Sequence, residues 1–404
     1  MTTRARRRHA GEGCISEYST KSGPRFLIKY AYPRDDGTQG TVLKRGFATR
    51  KAAAEELRKR LNSIDEQRHV APHRMTVGAF MSLWLDGLNK QPSTVASYRK
   101  NVRLHVTPHI GALRLDQLTG SRLTKLYRDL EKSGRHDGQG GLSARTVRYI
   151  HTIVHSALSA AVRDGLLAGN PATAATPPSA KAATSPEMAA WTAAQLRVFL
   201  EQRAAASDEL RPAWVLLAST GMRRGEALAL RWGDVDLEAG RISIRRSATV
   251  VPVEGDGRQV LVGPPKSGKP RTVDVDPDTI AVLRGHRSSQ GSVSLALARD
   301  DAYVLADVNG KIRHPERFSR RWETAVRQAR AAVGEDALPV IRLHDLRHTH
   351  ATVLLGAGIP VKVVSERLGH ANATITLGVY THVMPGMQAE AAARFAALLS
   401  GSSG

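Results

Sequence analysis

Apolar and polar positions alternate near the start of the chain: Phe26, Ile28 and Tyr30 share one side, and Thr41–Phe47 reads as a further short strand. Asp35-Asp36-Gly37 between them is a turn signal, so residues 13–48 are expected to be β. Thr49 can cap the Ala- and Glu-rich helix that follows, which is expected to end near Gln67. The result is a small module of three strands and one helix. From Met75 to Asn170 the period becomes helical. Val77–Leu88 carries Phe80, Leu83, Trp84 and Leu88, and a helix opening at Ser93 or Thr94 carries Tyr98, Val102 and Leu104. Arg122–Leu130 is a third helix. Ser143–Leu167 is the longest, with Val147, Ile150, Ile153, Val154, Leu158 and Val162 at helical spacing until Asn170-Pro171 stops it. Lys90, Arg99, Lys100, Arg103, Arg145 and Arg148 lie off these stripes, which gives the bundle one basic face.

Pro171–Pro186 has no periodic apolar face and the Pro/Ala/Ser/Thr composition of a linker. Beyond it, Thr192 caps a helix over Ala193–Arg203, and Pro212–Ser219 is an apolar buried helix. Strands are expected around Ile242–Ile244, Val250–Val253, Val260–Val262 and Thr272–Val275, with Pro264–Pro270 as a basic hairpin turn between the last two. Ala302–Leu305 reads as a short strand and Phe318–Val333 as a helix with Trp322, Ala325 and Val326 inside. Ile341–Val383 reads as short packed helices with Val353, Leu354, Val363, Val364 and Leu368 on their core faces. Pro360 suits a first turn there, and Gly356 and Gly369 suit helix ends. Met387–Leu399 is an Ala-rich apolar helix. The expected layout is multidomain and mainly α with small β-sheets. It comprises a small N-terminal domain (1–68), a helical bundle (72–171), a linker (172–186) and a mixed α/β domain with a C-terminal helix (187–404).

Charge changes this picture. The 404 residues hold 59 Lys+Arg against 37 Asp+Glu, a formal +22, which asks for a polyanionic partner, nucleic acid ahead of an anionic membrane. Residues 1–12 form a basic arm that could lie along phosphates. No apolar run approaches the roughly 20 residues of a membrane span, and the basic start lacks the apolar core of a signal peptide. Cys14 is the single cysteine, which excludes an intramolecular disulfide and multi-Cys zinc sites. A cytoplasmic protein is expected.

Candidate chemistry concentrates in Ile341–Val383, which gathers His344, Arg347, His348, His370 and Tyr380. Arg223, Arg224 and Glu226 stand in a hydrophilic break between two apolar runs; an arginine there needs an anion or carboxylate, and Glu226 is a ready partner. Three chemistries compete. His344 and His348 at i and i+4 resemble a zinc hydrolase pattern, but Arg347 between them would repel a metal. Val361–Tyr380 could form a helix-turn-helix, which leaves Arg223, Lys266 and His344 without a task. Phosphoryl transfer by a tyrosine uses every part. Arginine forks stabilise the more negative pentacoordinate phosphorus centre, the phenol (pKa about 10) needs a base or cationic pocket, and a poor leaving oxygen needs a general acid.

Thr220–Glu226 (TGMRRGE), Lys266, Leu343–His348 (LHDLRH), Leu368-Gly369-His370 and Tyr380 stand in the order of the motifs of the tyrosine recombinases, the phage integrase family, which this chain resembles. The Ser143–Pro171 helix ending resembles the core-binding domain of that family, and the N-terminal module resembles the arm-binding domain of its three-domain, lambda-type members. The resemblance implies that Tyr380 attacks the scissile phosphate to give a 3′-phosphotyrosyl link and that Arg223 and Arg347 hold the phosphate oxygens. It further implies that His370 adds a hydrogen bond, Lys266 protonates the leaving oxygen and His344 helps deprotonate the tyrosine. Glu226 would orient the arginine region; Arg224 and His348 would support it. Lys269 competes with Lys266, but Lys266-Ser267-Gly268 reproduces the family's Lys-Ser/Thr-Gly turn. No cofactor or metal is implied. The implied partners are double-stranded DNA at core and arm attachment sites, three further protomers in a homotetramer, and accessory proteins that bend DNA or set direction. Type IB topoisomerases share the chemistry, but the three-domain layout favours an integrase. Met387–Leu399 is a candidate for docking in cis or onto a neighbour.

Overall fold

The structure is a computed structural model that describes residues 13–20, 23–33, 38–65, 74–184, 188–253, 257–266 and 268–370, with positions 372, 374, 376, 377, 392, 395 and 396 beyond. The Asp35-Asp36-Gly37 turn, Ser267, Tyr380 and most of Met387–Leu399 lie outside the described residues. Two compact units divide the chain, Met1–Ser185 and Pro186–Gly404.

In the first unit, β1 (Cys14–Thr20), β2 (Gly23–Pro33) and β3 (Gln39–Phe47) form an antiparallel sheet in the order β1-β2-β3. The alternation in β2 does what its period requires: Ile28 and Tyr30 are buried together with Ala53 and Leu57 of α1 (Arg50–Asp65). The Ala52 N–H donates to Thr49 Oγ1 (3.2 Å), the expected cap. The bundle comprises α2 (Val77–Asp86), α3 (Pro92–Asn101), α4 (Thr107–Ile110), α5 (Gly120–Ser133) and α6 (Ala144–Arg163). A π-helical turn over Val102–Val106 joins α3 to α4. Thr76, Thr119 and Ser143 cap α2, α5 and α6 through their hydroxyls, as small oxygen-bearing residues do at helix starts. The stripe in α2 differs from expectation: Leu83 is 60% exposed, and Met81 and Leu85 pack inward beside Phe80. Trp84 instead stacks on Tyr98 with ring centroids 5.9 Å apart.

The first half of the segment read as a linker is docked on this bundle. Asn170 caps a short 3₁₀ turn, Pro171–Ala174, and donates to His155 O (3.0 Å) and Ser159 Oγ (2.8 Å). Ala172 is buried, the Thr176 N–H donates to Thr124 Oγ1 (2.9 Å), and Arg148 donates to Pro178 O (2.6 Å). Irregular backbone can pack when its polar groups find such partners, whatever its composition.

The second unit opens with α7 (Ala193–Ala205), whose start is closed by a reciprocal Thr192–Gln195 capping box. Next come α8 (Arg211–Thr220) and α9 (Arg224–Leu228), then β4 (Val235–Asp236), β5 (Arg241–Ile244), β6 (Ser247–Val253), β7 (Gly257–Gly263) and β8 (Arg271–Asp274). The strands form two antiparallel sheets, β4-β5-β8 and β6-β7. Pro264–Pro270 is therefore not a hairpin turn. It crosses from one sheet to the other because β8 pairs its buried Val273 with the buried Ile242 of β5. The helix α10 (Pro277–Val293) was not anticipated: its core face is only Thr279, Ile280 and Leu283, followed by a polar run. Its start is nonetheless conventional, an Asp276 cap with Pro277 in the first turn. Ala302–Leu305 is not a strand. One isolated bridge, Arg231 to Tyr303, joins it to the neighbouring segment, with the Val304 N–H donating to Leu230 O and the Trp232 N–H to Ala302 O.

The remaining helices are α11 (Pro315–Val333), α12 (Asp345–Gly356) and α13 (Val361–Leu368). Trp191, Phe199, Trp214, Phe318 and Trp322 form the aromatic centre of the unit, with neighbouring rings 5.0 to 5.7 Å apart. Ala351, Leu355, Val364 and Leu368 form a satellite core between α12 and α13. Val363 is 44% exposed rather than on that core face, because Val364 takes the inward position. Gly369 ends α13 in the left-handed conformation as expected, whereas Gly356 lies within α12 and Gly358 makes the turn after it.

Candidate active site

The break between apolar runs at residues 220–226 is a sharp turn. The helix α8 ends at Gly221 (φ 62°), and a Cβ there would meet the His350 ring at 2.7 Å, so glycine fits on both counts. Arg223 stands at the N-cap of α9, and Glu226, three residues on, reaches back to it. The Arg223 N–H donates to Oε2 and Arg223 Nη1 donates to Oε1, both at 2.9 Å. The Glu226 side chain is fully buried, and Arg271 of β8 supplies two more bonds, Nη1 to Oε1 (3.2 Å) and Nη2 to Oε2 (2.7 Å). Burial pushes the Glu226 carboxyl up. The Arg271 hydrogen bonds and charge, followed by those of Arg223, outweigh it and hold the group below the ordinary carboxylate range. Arg223 itself keeps an open side and has no other partner among the described residues.

The second half of the cluster is set by the start of α12. Asp345, buried, accepts from the Arg342 N–H (2.8 Å) and from Arg342 Nε and Nη2 (2.9 and 2.7 Å), closing a tight turn. His344 falls at the N-cap and Arg347 in the first turn. Arg347 is 3% exposed; its Nη1 donates to Gly221 O and its Nη2 to Leu368 O, both at 2.7 Å. One guanidinium thus joins the turn before Arg223 to the turn before His370. His344 and His348 meet edge to face at 5.1 Å, and His370 Nδ1 is 2.8 Å from Thr376 Oγ1.

These neighbours keep the imidazoles neutral. Burial, then the charges of His348 and Arg347, lower His344 to about 4, although the residue as a whole is exposed to solvent. Burial, then Arg347 and Arg223, lower His370 to about 4. At neutral pH both rings can accept a proton, and an entering phosphate would offset the cationic field that holds them neutral.

Arg223, His344, Arg347 and His370 are therefore brought together, with His348 beside them. Lys266 is not: it is exposed on the loop between β7 and β8, and no hydrogen bond or ion pair joins it to the cluster among the described residues. Tyr380 lies outside the described residues. Arg224, read as a supporting residue, donates to Ser319 Oγ (2.7 Å) on α11 and is lowered by its burial. Arg271 escaped the sequence reading. The available signal was an arginine opening a strand that alternates toward a core. Among the described residues no group of three His, Cys, Asp or Glu side chains could hold a metal ion.

Residues 192–386 match the phage integrase family. A XerC-like tyrosine recombinase of Caldanaerobacter subterraneus subsp. tengcongensis is 25% identical over 381 residues, covering 89% of this chain and 93% of that protein. The ICEBs1 integrase of Bacillus subtilis strain 168 is 25% identical over 358 residues, covering 87% of this chain and 91% of its own. Among solved structures, the Tn1549 transposon integrase in complex with transposon right-end DNA shares the fold with a TM-score of 0.65 at 20% identity, over 80% of this chain and 100% of that one. Residues 192–386 thus carry a phage integrase family domain, and most of the chain is similar to tyrosine recombinases and integrases. Its small N-terminal sheet, helical bundle and mixed second unit follow the layout of the lambda-type members.

Proposed function

We propose that this protein is a site-specific DNA recombinase that cuts and rejoins duplex DNA through a 3′-phosphotyrosyl intermediate, integrating or excising a mobile element. The observation that carries this reading is the convergence of Arg223, Arg347 and two neutral histidines on backbone turns that Arg347 itself ties together. Two guanidiniums on the non-bridging oxygens stabilise the charge that develops at phosphorus, with little reorganisation because they are already held. His370 adds a hydrogen bond. Tyr380 supplies the attacking oxygen and gives its proton to His344. The P–O5′ bond breaks, and the leaving oxygen takes a proton from Lys266 as the β7–β8 loop closes on the DNA. The phosphotyrosine conserves the bond energy, so the reverse attack by a 5′ hydroxyl rejoins the strand without a cofactor.

The formal +22 supplies affinity for the DNA backbone. The sheet module reads arm sites, and the helical bundle and the second unit each contribute to binding the core site. Exchange of two duplexes requires four cleavages and hence four protomers. Accessory proteins that bend the DNA or set direction act with it in the cytoplasm. The test is covalent capture on a suicide DNA site in EDTA. The protein is expected to form a 3′ adduct, and Arg223→Ala or Arg347→Ala to slow it by at least the roughly 10²–10³-fold typical of one lost oxyanion donor. A strict need for divalent metal, or adduct formation undiminished in both variants, refutes the reading.

A further inference from the structure

We propose that Arg271 is a positioning residue of the cleavage reaction: it satisfies the buried Glu226 carboxylate so that Arg223 keeps its guanidinium for the phosphate, and it locks the turn that presents His370. The inference rests on the recombinase reading above and concerns a residue to which the motifs assign no task.

Three contacts of one side chain carry it. Arg271 Nη1 and Nη2 donate to the two oxygens of Glu226 at 3.2 and 2.7 Å. Nε donates to Arg367 O at 2.9 Å, in the last turn of α13. The flat guanidinium lies across Gly369, where an added Cβ would stand 2.8 Å from Nη1 and 3.0 Å from Cζ. Arg367 reciprocates from α13, donating to Asp274 O of β8 (3.1 Å) and to Ser219 O of α8 (3.1 Å). The strand that follows the Lys266 loop, the Arg223 turn and the turn before His370 are therefore held by one planar fork and its partner.

The charge balance gives the fork its purpose. A carboxylate with no exposed surface needs a cation close by, and among the described residues Arg223 is the only other guanidinium bonded to Glu226. With Arg271 present, Arg223 lends a single nitrogen to Oε1. Without it, the most favourable remaining arrangement for Glu226 is a two-nitrogen grip on Arg223, which would draw that guanidinium inward and away from the phosphate. Lysine cannot replace the fork. An ammonium is a point charge, without the planar geometry that reaches both carboxylate oxygens and a carbonyl at once.

The experiment measures single-turnover adduct formation and DNA affinity separately for Arg271→Ala and Arg271→Lys, with thermal unfolding as the check on folding. Cleavage is expected to fall about 10²-fold in Arg271→Ala, the scale of a misplacement of about an ångström at a reacting centre, with DNA affinity within about threefold of the parent. Arg271→Lys is expected to lie between them. Guanidinium ion added to Arg271→Ala should restore cleavage where equal concentrations of sodium or ammonium do not, because the vacated site is shaped for that cation. Cleavage at the parental rate in both variants overturns the proposal. So does a loss of affinity equal to the loss of rate, or a folded Ala variant that guanidinium does not rescue while Lys is fully active. Should Ala not fold, a Lys variant that cleaves at the parental rate overturns it alone. If the parent protein itself forms no adduct, the recombinase reading fails instead, and the two failures are distinct.

Discussion

Gly369 shows how one residue can be demanded twice. Its φ is 66°, and Arg271 occupies the space a side chain would need. Gly369→Ala is expected to cost about 1–2 kcal/mol in backbone strain alone and to slow cleavage further by displacing Arg271, seen as a rate loss larger than the loss of stability. His350 makes a different prediction. It is 7% exposed, its Nδ1 bonds Ala218 O at 2.8 Å, and burial lowers it to about 4. The unfolded chain takes up a proton near pH 6.5, so stability declines as the pH falls from there toward 4 and is unaffected above it. A His350→Asn variant should show a shallower fall of melting temperature over that window, and an unchanged slope would contradict the assignment. At this scale the cluster was largely legible. Arg223, His344, Arg347 and His370 are polar residues that interrupt apolar runs, and such interruptions have few structural uses. Arg271 was not legible, because a strand-opening arginine after a basic loop looks solvated and its partner Glu226 is 45 residues away.

Elements were legible where a period and a cap coincide. The long helix α6 was bounded by Ser143, whose hydroxyl accepts from the Thr146 N–H. Removing that cap in Ser143→Ala should cost about 1 kcal/mol, read as roughly fivefold faster amide exchange in the first turn of α6. The helix α10 was missed because its inward stripe is short and its middle is polar. Pairing of β7 and β8 was misread because neighbours in sequence usually pair; here the choice is made by Ile242 and Val273, which must be buried together. Those partners are distant in the chain, and no local pattern announces them. The consequence is functional: Lys266 rides on a crossing between two sheets, anchored at its far end by Arg271. Val361–Tyr380 reads as a helix-turn-helix in sequence; α13 is its first helix, whose last carbonyl accepts from the buried Arg347 of α12, and most of its second half lies outside the described residues.

At the scale of the whole molecule, 59 basic against 37 acidic residues predict a large electrostatic contribution to DNA affinity. Binding should weaken linearly in log–log terms with salt, with a slope set by the number of phosphates neutralised. A titration from low to physiological salt that leaves affinity unchanged would contradict this. The chain divides at Ser185, and the family match occupies residues 192–386, within the second unit. The family match therefore lies within one unit, the one that also holds Arg223, His344, Arg347 and His370.

The central claim is that a tyrosine of this chain becomes covalently joined to DNA. The most direct measurement traps the adduct on a suicide DNA site, digests it, and identifies the peptide that carries the nucleotide. The expected result is a 3′-phosphate ester on Tyr380, with Tyr380→Phe binding the same DNA and giving no adduct. An adduct on another residue, a 5′ linkage, or an adduct that persists in Tyr380→Phe would contradict it.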